Sequence, residues 1–396
     1  MAKANKEGQR KAPILRFKGF TDDWEQRKLR EISSSTIGGG TPKSSNKKFW
    51  NGNIPWIQSS DLVNGDIWNI TIKKHITLNA VENSAAKIIS ANSIAVVTRV
   101  AVGKLVYMPL EYATSQDFIS FQNLSGDHSF FMYLVSKVMH KVRGSLQGTS
   151  IKGISKGELL KKKVIYTLNI KEQKKIGTLL KSLDTILTLY ERKIKLLSQE
   201  KKYFLDNLFA GKEYPNLRFK GFTDAWEQRK LLKVCKKEDN KRIPIKEQER
   251  KEGNTPYFGA NGIQGYIDGY THDGTNILIA EDGANNVRNY PIKLITGKIW
   301  VNNHAHVLKV NTKTNNGNFL VGAIKKINFY RYLVGSSRYK LTAESLNQVK
   351  IKIAKQSEQE KIGELLKNIE ELLTLYENKQ QYLTEIKNVL LNTMFI

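Results

Sequence analysis

Hydrophobic residues recur every seven positions in two separate stretches of the chain, one near its middle and one at its end. Five consecutive heptads of this kind are typical of a coiled coil rather than of a surface helix. Neither helix buries such a seam alone, so the two are predicted to pair with each other. The alternative, in which each helix packs only on its own domain, is disfavoured because the seam is too long for a local core. The seam residues are Ile176, Leu183, Tyr190, Leu197, Phe204, Ile362, Ile369, Tyr376, Leu383 and Leu390.

A fifteen-residue segment occurs twice and divides the chain into two halves. Residues 15–29 read LRFKGFTDDWEQRKL, and residues 217–231 differ from them at one position. We call these segments the first box and the second box. A second repeat follows in each half, where residues 172–209 and 358–395 are identical at 18 of 38 positions. The segments between box and second repeat do not align, so the sequence predicts a doubled scaffold that carries two unlike segments.

Short apolar runs between Gly, Pro and Asn residues fill both variable segments, a pattern typical of mixed α/β domains. In the first segment we predict strands at residues 54–57, 67–72, 93–100 and 118–121, and a helix at residues 129–143. In the second segment we predict strands at residues 277–280, 298–301 and 306–310, and a helix near residues 318–333.

Tandem halves predict a pseudo-two-fold arrangement, and this operation makes the two long helices antiparallel. The predicted fold class is α/β (α+β), with two globular domains separated by two long helices that form an intramolecular antiparallel coiled coil. The variable domains would lie at opposite ends of a spacer about 60 Å long. The predicted segments are a disordered arm (1–14), the first box and domain (15–165), a central helix (166–212), the second box and domain (213–350) and a C-terminal helix (351–396).

Lysine and arginine outnumber the acidic residues by 64 to 37, which gives a net charge of +27 at pH 7. This excess favours a polyanionic partner, with nucleic acid ahead of an anionic membrane surface. A generally lysine-rich proteome is the alternative explanation. The single Cys235 excludes an internal disulfide framework and fits a reducing cytoplasm. No secretory signal precedes the first box, and the most apolar stretch, residues 93–110, is interrupted by Arg99 and Lys104, so no membrane association is expected.

Motifs for catalysis are absent from the sequence. It contains no Gly-x4-Gly-Lys-Ser/Thr phosphate loop, no Asn/Asp-Pro-Pro-Tyr/Phe tetrapeptide and no glycine-rich cofactor loop after a strand. His304 and His306 lie two apart on a predicted strand and could bind a metal, but without a second ligand cluster a structural or DNA-contacting role is favoured. Glu281 and Asp282 would point to opposite faces of a strand. We therefore predict a protein without catalytic residues, metal or cofactor.

The order of the duplicated motifs resembles that of the specificity subunit of type I restriction–modification systems. No single motif decides the resemblance, but their order, repeated in both halves, is specific and covers essentially the whole chain. The motifs are residues 38–62 (GGGTPKSSNKKFWNGNIPWIQSSDL), 257–267 (YFGANGIQGYI), 277–284 (ILIAEDGA), 298–309 (KIWVNNHAHVLK) and the EQ-K-IG-LL helix starts at 172–180 and 358–366.

The resemblance implies that each variable segment is a target recognition domain that reads one half of a split site in double-stranded DNA. It also implies that the paired helices fix the gap between the half-sites and dock two methyltransferase subunits. Restriction/motor subunits join in the full complex. Two copies of one partner need two nearly identical docking surfaces, and the boxes and long helices supply them. Two different half-sites need two different readers, which agrees with the divergence of the variable segments.

Candidate DNA contacts follow from residue type, because Lys and Arg bind phosphates whereas Arg, Lys, Asn, Gln, Ser and Thr read base edges. Trp50, Trp56 and Trp300 are expected in the core rather than stacked on bases. In the first domain the candidates are Thr41, Lys43, Ser44, Lys47, Lys48, Gln58, Ser59, Ser60, Arg99, Arg143, Gln147, Ser150 and Lys152. In the second domain they are Asn261, Asn285, Asn286, Arg288, Asn302, Asn303, Ser336, Ser337, Arg338 and Lys340.

Two other functions remain open from the sequence alone. A non-catalytic coiled-coil scaffold that binds only proteins would carry its basic charge incidentally. An RNA-binding protein would need exposed aromatic platforms in its sheet motifs, and the sequence offers no sign of them. A steep loss of DNA affinity with rising salt would separate a DNA reader from the scaffold.

Overall fold

The computed structural model describes residues 12–146, 153–209, 213–335 and 339–396. The chain forms two compact units, of which the first comprises Met1–Leu189 with Gln380–Ile396 and the second comprises Tyr190–Lys379. Each unit contains one box, one variable segment and portions of both long helices. Within the described part of the chain, no helix is long and apolar enough to cross a membrane. Most of the predicted N-terminal arm, residues 1–11, lies outside the described residues.

The described residues of the first half form three sheets. Its strands are β1 (Glu25–Lys28), β2 (Ser33–Gly38), β3 (Trp50–Ile57), β4 (Lys74–Ile76), β5 (Ser93–Val97), β6 (Leu105–Met108), β7 (Ala113–Thr114), β8 (Phe118–Leu124) and β9 (Lys163–Tyr166). Its helices are α1 (Leu78–Glu82), α2 (His128–Leu146), α3 (Lys156–Lys161) and α4 (Ile170–Leu208). The sheet orders are β2-β8-β5-β6, β4-β3-β7 and β1-β9.

Three sheets also form in the part of the second half that the structure describes. Its strands are β10 (Glu227–Lys230), β11 (Cys235–Lys237), β12 (Thr255–Gly259), β13 (Gly262–Ile267), β14 (Thr275–Ala280), β15 (Ile292–Thr296), β16 (Trp300–Val301), β17 (Ala305–Val310) and β18 (Lys350–Ile353). Its helices are α5 (Leu231–Val234), α6 (Gly317–Lys325), α7 (Ala343–Gln348) and α8 (Gln356–Thr393). The sheet orders are β11-β17-β14-β15, β13-β12-β16 and β10-β18.

The two variable segments therefore share one topology although their sequences do not align. Strand β5 pairs antiparallel with β6 and β8, and β14 pairs antiparallel with β15 and β17. Among the described residues, each half has one parallel pairing, and the two are equivalent, joining β3 with β7 and β12 with β16. The expectation of two unlike segments is correct for their residues and wrong for their topology. Strand order depends on which positions are buried rather than on their identities, so it survives where the sequence does not.

Most predicted elements form, with four local corrections. The predicted strand at 93–100 ends at Val97. Residues 67–72 do not form a strand; a backbone bond from Tyr107 N to the Ile67 carbonyl at 3.0 Å attaches them to β6 without continuing as a ladder. The predicted strand at 298–301 contracts to Trp300–Val301. The predicted helix at 318–333 ends at Lys325 and is followed by a separate 3-10 turn at Phe329–Tyr332. Apolar spacing alone does not reveal where such a helix breaks.

Each box is clamped to the start of a long helix by a buried ion pair. The Arg16 guanidinium donates two hydrogen bonds to the Glu172 carboxylate, at 2.5 and 2.9 Å, and the Glu172 side chain is 0% exposed. Arg218 and Glu358 repeat this fork at 2.7 and 2.8 Å. Planar, bidentate pairs of this kind fix both distance and orientation. The two repeated sequences of each half are thus bound directly to each other.

The strand of each box also pairs with the strand that leads into the long helix. Strand β1 pairs with β9, and β10 pairs with β18, in equivalent antiparallel registers. Each box also contributes a tryptophan to a core. Trp24 is 1% exposed and Trp226 is 4% exposed. The Trp226 indole N–H donates to Glu358 at 3.1 Å, whereas the Trp24 indole nitrogen has no hydrogen-bond partner among the described residues.

The glutamine of each helix start ties the helix to the variable domain. Gln173 accepts a bond from the Asp127 N–H at 2.8 Å, and donates to the Thr167 carbonyl at 2.7 Å. Gln359 makes the equivalent bonds, with the Asn316 N–H at 3.1 Å and the Ala354 carbonyl at 2.9 Å. Asp127 and Asn316 immediately precede α2 and α6. At the start of each long helix, the glutamate therefore binds the box and the next residue, a glutamine, binds the variable domain.

The glycine of the same motif allows close approach of two helices. A Cβ at Gly177 would lie 2.7 Å from the Phe130 nitrogen at the start of α2. A Cβ at Gly363 would lie 2.0 Å from the Asn316 side-chain oxygen at the start of α6. Any larger residue would push each long helix away from its domain.

The first turns of each long helix belong to a globular core. In the first unit, Ile176 and Leu180 of α4 are 0% exposed and pack in one cluster with Phe130 of α2 and Phe395 near the chain's end. In the second unit, Ile362 and Leu366 of α8 pack in a cluster with Phe319 of α6. These parts of the seam are covered by their own domains. The remaining parts pair with the other helix.

Pairing between the long helices is antiparallel. In the second unit, Tyr190 of α4 lies against Tyr376 of α8, with ring centroids 5.6 Å apart, and Lys201 pairs with Glu370. Residue numbers thus rise along one helix as they fall along the other. In the first unit, Asp184 of α4 pairs with Lys387 of α8. The predicted fold class, two α/β domains with long helices that pair as a coiled coil, is confirmed.

All ten predicted seam residues are buried or half-buried. Ile176, Leu183, Ile362 and Ile369 are buried, and the half-buried residues are Tyr190, Leu197, Phe204, Tyr376, Leu383 and Leu390. Burial is deepest where a domain covers the helix and shallower where only the second helix does.

Replacing Glu172 by Gln should strongly destabilise the first unit. The substitution keeps the side-chain shape but leaves the Arg16 guanidinium beside a neutral group in the core, a change that costs about 3 kcal/mol. The free energy of unfolding, measured by urea denaturation of the full chain, checks this expectation.

The matched control is Glu25→Gln, which removes the partner of Arg27 in the same box. This pair is solvent-exposed, with side chains 50% and 38% exposed, so its loss should change stability little. Equal effects of the two substitutions would contradict the role given to the buried pair.

Candidate nucleic-acid interface

The predicted DNA-contacting residues of the first domain lie in connections between strands and at the end of one helix. The β2–β3 connection carries Thr41, Lys43, Ser44, Lys47 and Lys48; the β3–β4 connection carries Gln58, Ser59 and Ser60; the β5–β6 turn carries Arg99; and α2 carries Arg143. Gln147, Ser150 and Lys152 lie outside the described residues. Loops held by a rigid sheet are the usual place for binding residues.

A cleft of about 250 Å³ brings five of these residues together. Its lining from the predicted set is Thr41, Ser44, Gln58, Ser59 and Ser60. The structure adds six residues that the sequence did not predict as DNA contacts, which are Trp50, Trp56, Lys74, Ser115, Gln116 and Asp117. We call this site the first cleft. Its lining combines amide, hydroxyl and ammonium groups, the types that bind base edges and phosphates, with one carboxylate, that of Asp117.

The tryptophans of the first cleft support its wall. Trp56 is 3% exposed and donates its indole N–H to the Gly40 carbonyl at 3.1 Å, as a core residue would. Trp50 is half-buried and packs edge-on against Trp56, with ring centroids 5.2 Å apart. The Lys74 ammonium lies 5.6 Å from the centroids of both rings. The expectation of a core position fits Trp56, whereas Trp50 is only half-buried.

Arg99 lies beside a strained turn. Val100 and Ala101 have φ values of 42° and 70°, in the left-handed region that β-branched residues rarely adopt. The Val100 side chain is 66% exposed, so packing does not explain its conformation. Strain of this kind clusters at functional loops. Arg143 is also exposed, and its guanidinium donates to the Asn64 side chain at 3.1 Å.

In the second domain, Asn285, Asn286 and Arg288 are exposed and lie in the β14–β15 connection. This connection is the topological equivalent of the β5–β6 turn that carries Arg99. Residues chosen separately in two unalignable sequences therefore occupy the same place in the fold. Asn286 accepts backbone bonds from Arg288 and Asn289, at 3.0 and 2.8 Å, which fixes the local turn.

Other predicted residues of the second domain have structural partners. Asn302 is 5% exposed; it donates to Gln264 at 3.1 Å and accepts from the His304 N–H at 2.8 Å, so its amide is used within the fold. Asn261 donates to the Gly283 carbonyl and accepts from the Asn285 N–H, both at 2.9 Å. We therefore assign Asn302 a structural role and Asn261 the support of a neighbouring loop.

Of the remaining candidates, Asn303 and Lys340 are exposed. The Lys340 ammonium lies 3.5 Å from the Glu281 carboxylate. Ser336, Ser337 and Arg338 lie outside the described residues. Trp300 is half-buried and donates its indole N–H to the Ile243 carbonyl at 2.7 Å, so it is held by the fold although it is not a core residue.

His306 joins Asp239 and Glu281 in a compact group whose possible ligand atoms lie within 4.8 Å of one another. His306 Nδ1 contacts Asp239 at 2.6 Å, and its Nε2 contacts the Leu341 carbonyl at 2.8 Å. The Arg242 guanidinium binds Glu281 at 2.6 Å. The possible ligand atoms of this group are already bonded to one another, to Arg242 or to backbone, so we interpret it as an ion-pair network.

The electrostatics of Asp239 agree with this interpretation. Burial alone would raise the pKa of its carboxyl. The bonds from His306 and the Val307 N–H, together with the Arg242 charge, outweigh burial and hold the pKa below its usual range. The network fixes the position of Glu281, the first residue of the β14–β15 connection.

Comparison with known proteins identifies the family. The family model described as type I restriction modification DNA specificity domain matches residues 21–199 and 223–385, one match in each half. The chain belongs to this family. The two matched ranges each run from a box into a long helix, so both halves are copies of one specificity domain.

Individual relatives agree with the family. A protein of Haemophilus influenzae named as a type I restriction enzyme specificity subunit is 40% identical over 163 residues, which are 41% of this chain and 39% of the relative. The MjaIX specificity subunit of Methanocaldococcus jannaschii is 26% identical over 246 residues, which are 59% of this chain and 57% of the relative. The chain thus spans about half the length of the curated relatives it matches.

A solved structure shares the fold over nearly the whole chain. The crystal structure of a type I restriction–modification system S subunit from M. genitalium matches with a TM-score of 0.70 and 17% sequence identity. The match covers 97% of this chain and 99% of that chain. At this identity the likeness supports the specificity-subunit fold only.

Replacing Val100 by Gly should stabilise the first unit, by about 1 kcal/mol. Glycine adopts positive φ without a steric cost, and the exposed Val100 side chain contributes little packing. Thermal unfolding of the full chain measures the change.

Val63→Gly is the matched control, because Val63 is 65% exposed in the same unit but is not among the residues with positive φ. Glycine there should only add freedom to the unfolded chain and lower the melting temperature. A lower melting temperature for both variants would contradict strain at Val100.

Proposed function

We propose that this chain is the specificity subunit of a type I restriction–modification complex and that each unit reads one half of a bipartite site in double-stranded DNA. The observation that carries the proposal is that the two variable domains share one strand topology but have unrelated sequences in the loops between the strands. A shared frame with different exposed side chains is what two readers of different sequences require. Uniform drift after duplication would not leave the boxes nearly identical while the loops between the same strands diverged.

The charge and chemistry of the exposed connections support DNA as the ligand. The chain carries a net charge of +27, which favours association with a polyanion. The first cleft offers amides and hydroxyls from three connections, and the second domain exposes Asn285, Asn286 and Arg288 in one connection. Contacts of lysine with phosphate supply charge without sequence information, whereas contacts of amides and arginines with base edges discriminate between bases. Both requirements of a sequence-specific reader are therefore present.

The repeated parts of the chain support two copies of one partner. The boxes differ at one position only, and residues 172–209 and 358–395 are identical at 18 of 38 positions. Each box is held to its long helix by the same buried fork. We propose that these paired surfaces dock two methyltransferase subunits and that restriction/motor subunits join the full complex. The chain itself would be non-catalytic and would direct the chemistry of its partners to a site.

Exchanging one reader tests the proposal. Residues 233–345 would be replaced by the corresponding segment of another family member, and the chain co-expressed with its methyltransferase subunit. Strands β10 and β18 lie outside the exchanged segment and keep their pairing, so the hybrid should fold and methylate DNA. Sequencing of methylated genomic DNA should show a new word in one half of the site and the original word in the other.

The reciprocal exchange of residues 30–165 is the control and should change only the other half-site. A change of both words after a single exchange would contradict two independent readers. Unchanged words after both exchanges would show that the variable domains do not read DNA.

A further inference from the structure

We propose that Gln116, in the connection between β7 and β8, reads a base of the first half-site. The inference rests on the proposed function and names one specificity-determining residue within it. Residues 115–117 form the short polar connection between two largely buried strands. In the second unit, the same place between β16 and β17 is occupied by residues 302–304. The sequence drew attention to Asn302 and Asn303 there but not to Gln116, because only the strand topology makes the two connections equivalent.

The backbone around Gln116 is fixed on both sides. The Ser115 N–H donates to the Ile57 carbonyl of β3 at 3.0 Å, and the Thr98 N–H donates to the Asp117 carbonyl at 2.8 Å. The Gly40 N–H also binds the Thr114 carbonyl, at 2.9 Å. Gln116 is therefore an exposed side chain on a turn held by three neighbouring segments. A reader needs this rigidity, because ordering a mobile loop would cost binding free energy.

The side chain of Gln116 is oriented by Thr41. The Thr41 hydroxyl donates to Gln116 Oε1 and engages one of its two lone pairs, which turns the acceptor end of the amide toward Thr41. The Gln116 amide nitrogen has no hydrogen-bond partner among the described residues, so its two N–H groups remain for a ligand. Thr41 lies in the β2–β3 connection, which meets the β7–β8 connection at the first cleft. Thr41 is thus a positioning residue for Gln116.

A side-chain amide whose oxygen is turned toward Thr41 and whose N–H donors are left for the ligand favours one base. In the major groove, guanine exposes two acceptors, O6 and N7, whereas adenine exposes one acceptor and one donor. The geometry therefore favours guanine at the position that Gln116 contacts. Lys74 lies in the lining of the same cleft and carries the positive charge that a neighbouring phosphate would need. Gln58 lines the cleft as well and offers a second amide beside Gln116.

The test uses the full chain in complex with its methyltransferase subunit. Affinity is measured on duplexes that carry the wild-type motif with each of the four bases at each position of the first half-site. The wild-type complex should prefer guanine at one of these positions, by roughly 5- to 150-fold, the discrimination of a good base contact. Gln116→Leu should abolish this preference, while the other positions of both half-sites keep theirs.

Gln116→Glu gives the sharpest outcome. A carboxylate presents acceptors where the amide presented donors, so preference at that position should move from guanine to cytosine, whose N4 group donates. Gln199→Glu makes the same chemical change on an exposed position of α4 and should alter no preference. Thr41→Val should weaken discrimination at the Gln116 position without changing the preferred base, and Thr41→Ser should restore it.

Melting temperatures of all variants should match that of the wild type, because Gln116 and Thr41 are exposed. Unaltered base preference in both Gln116 variants would overturn the proposal, and so would an equal loss of affinity for every sequence. A wild-type complex that enriches no motif at all would instead overturn the proposed function on which this inference rests.

Discussion

The buried fork between a box arginine and a helix glutamate is the interaction on which the rest of the molecule depends. Glu172 and Glu358 are almost fully enclosed, and a buried carboxylate is tolerated only when its charge is paired and its oxygens are bonded. Arg16 and Arg218 meet both conditions with two bonds each. Neither repeat can change alone without leaving a buried charge unpaired. This constraint gives a physical reason for the near-identity of the boxes and of the helix starts.

The residues that follow each glutamate extend the constraint into the variable domains. Gln173 and Gln359 bind the turns that precede α2 and α6, and Gly177 and Gly363 let those turns approach the long helices. Each domain is therefore held to its long helix by backbone groups and by residues of the repeat that are the same in both halves. The connections at the strand ends carry no such restriction. Divergence of the loops on a constant frame is the expected consequence, and it is also what a pair of DNA readers requires.

The long helices and the boxes were predictable from sequence because their signals are local or repeated. Heptads reveal a seam directly, and all ten seam residues are at least half-buried. The shared topology of the two domains was not predictable, because pairings such as β5 with β8 join residues that are distant in the chain. Residues 67–72 alternate like a strand but form none, since burial comes from packing on neighbouring clusters rather than from a ladder.

The candidate site was only partly predictable for the same reason. Residue type selected Thr41, Gln58 and their neighbours, and the fold brings these into one cleft. Gln116 was missed because nothing in the sequence distinguishes one exposed glutamine in a short connection. Only the fold shows that it lies beside Thr41 in the first cleft. The usable signal was a polar triplet between two apolar strands, which occurs as SQD in one half and NNH in the other. Residue type also selected Asn302, whose burial shows that exposure must be known before a polar residue is assigned to a ligand.

Selection from random duplex DNA by the chain in complex with its methyltransferase subunit tests the central claim most directly. Two domains of one topology with different loops should enrich two different short words separated by a fixed number of indifferent bases. Enrichment of one uninterrupted word would show that only one domain reads DNA and would contradict the account.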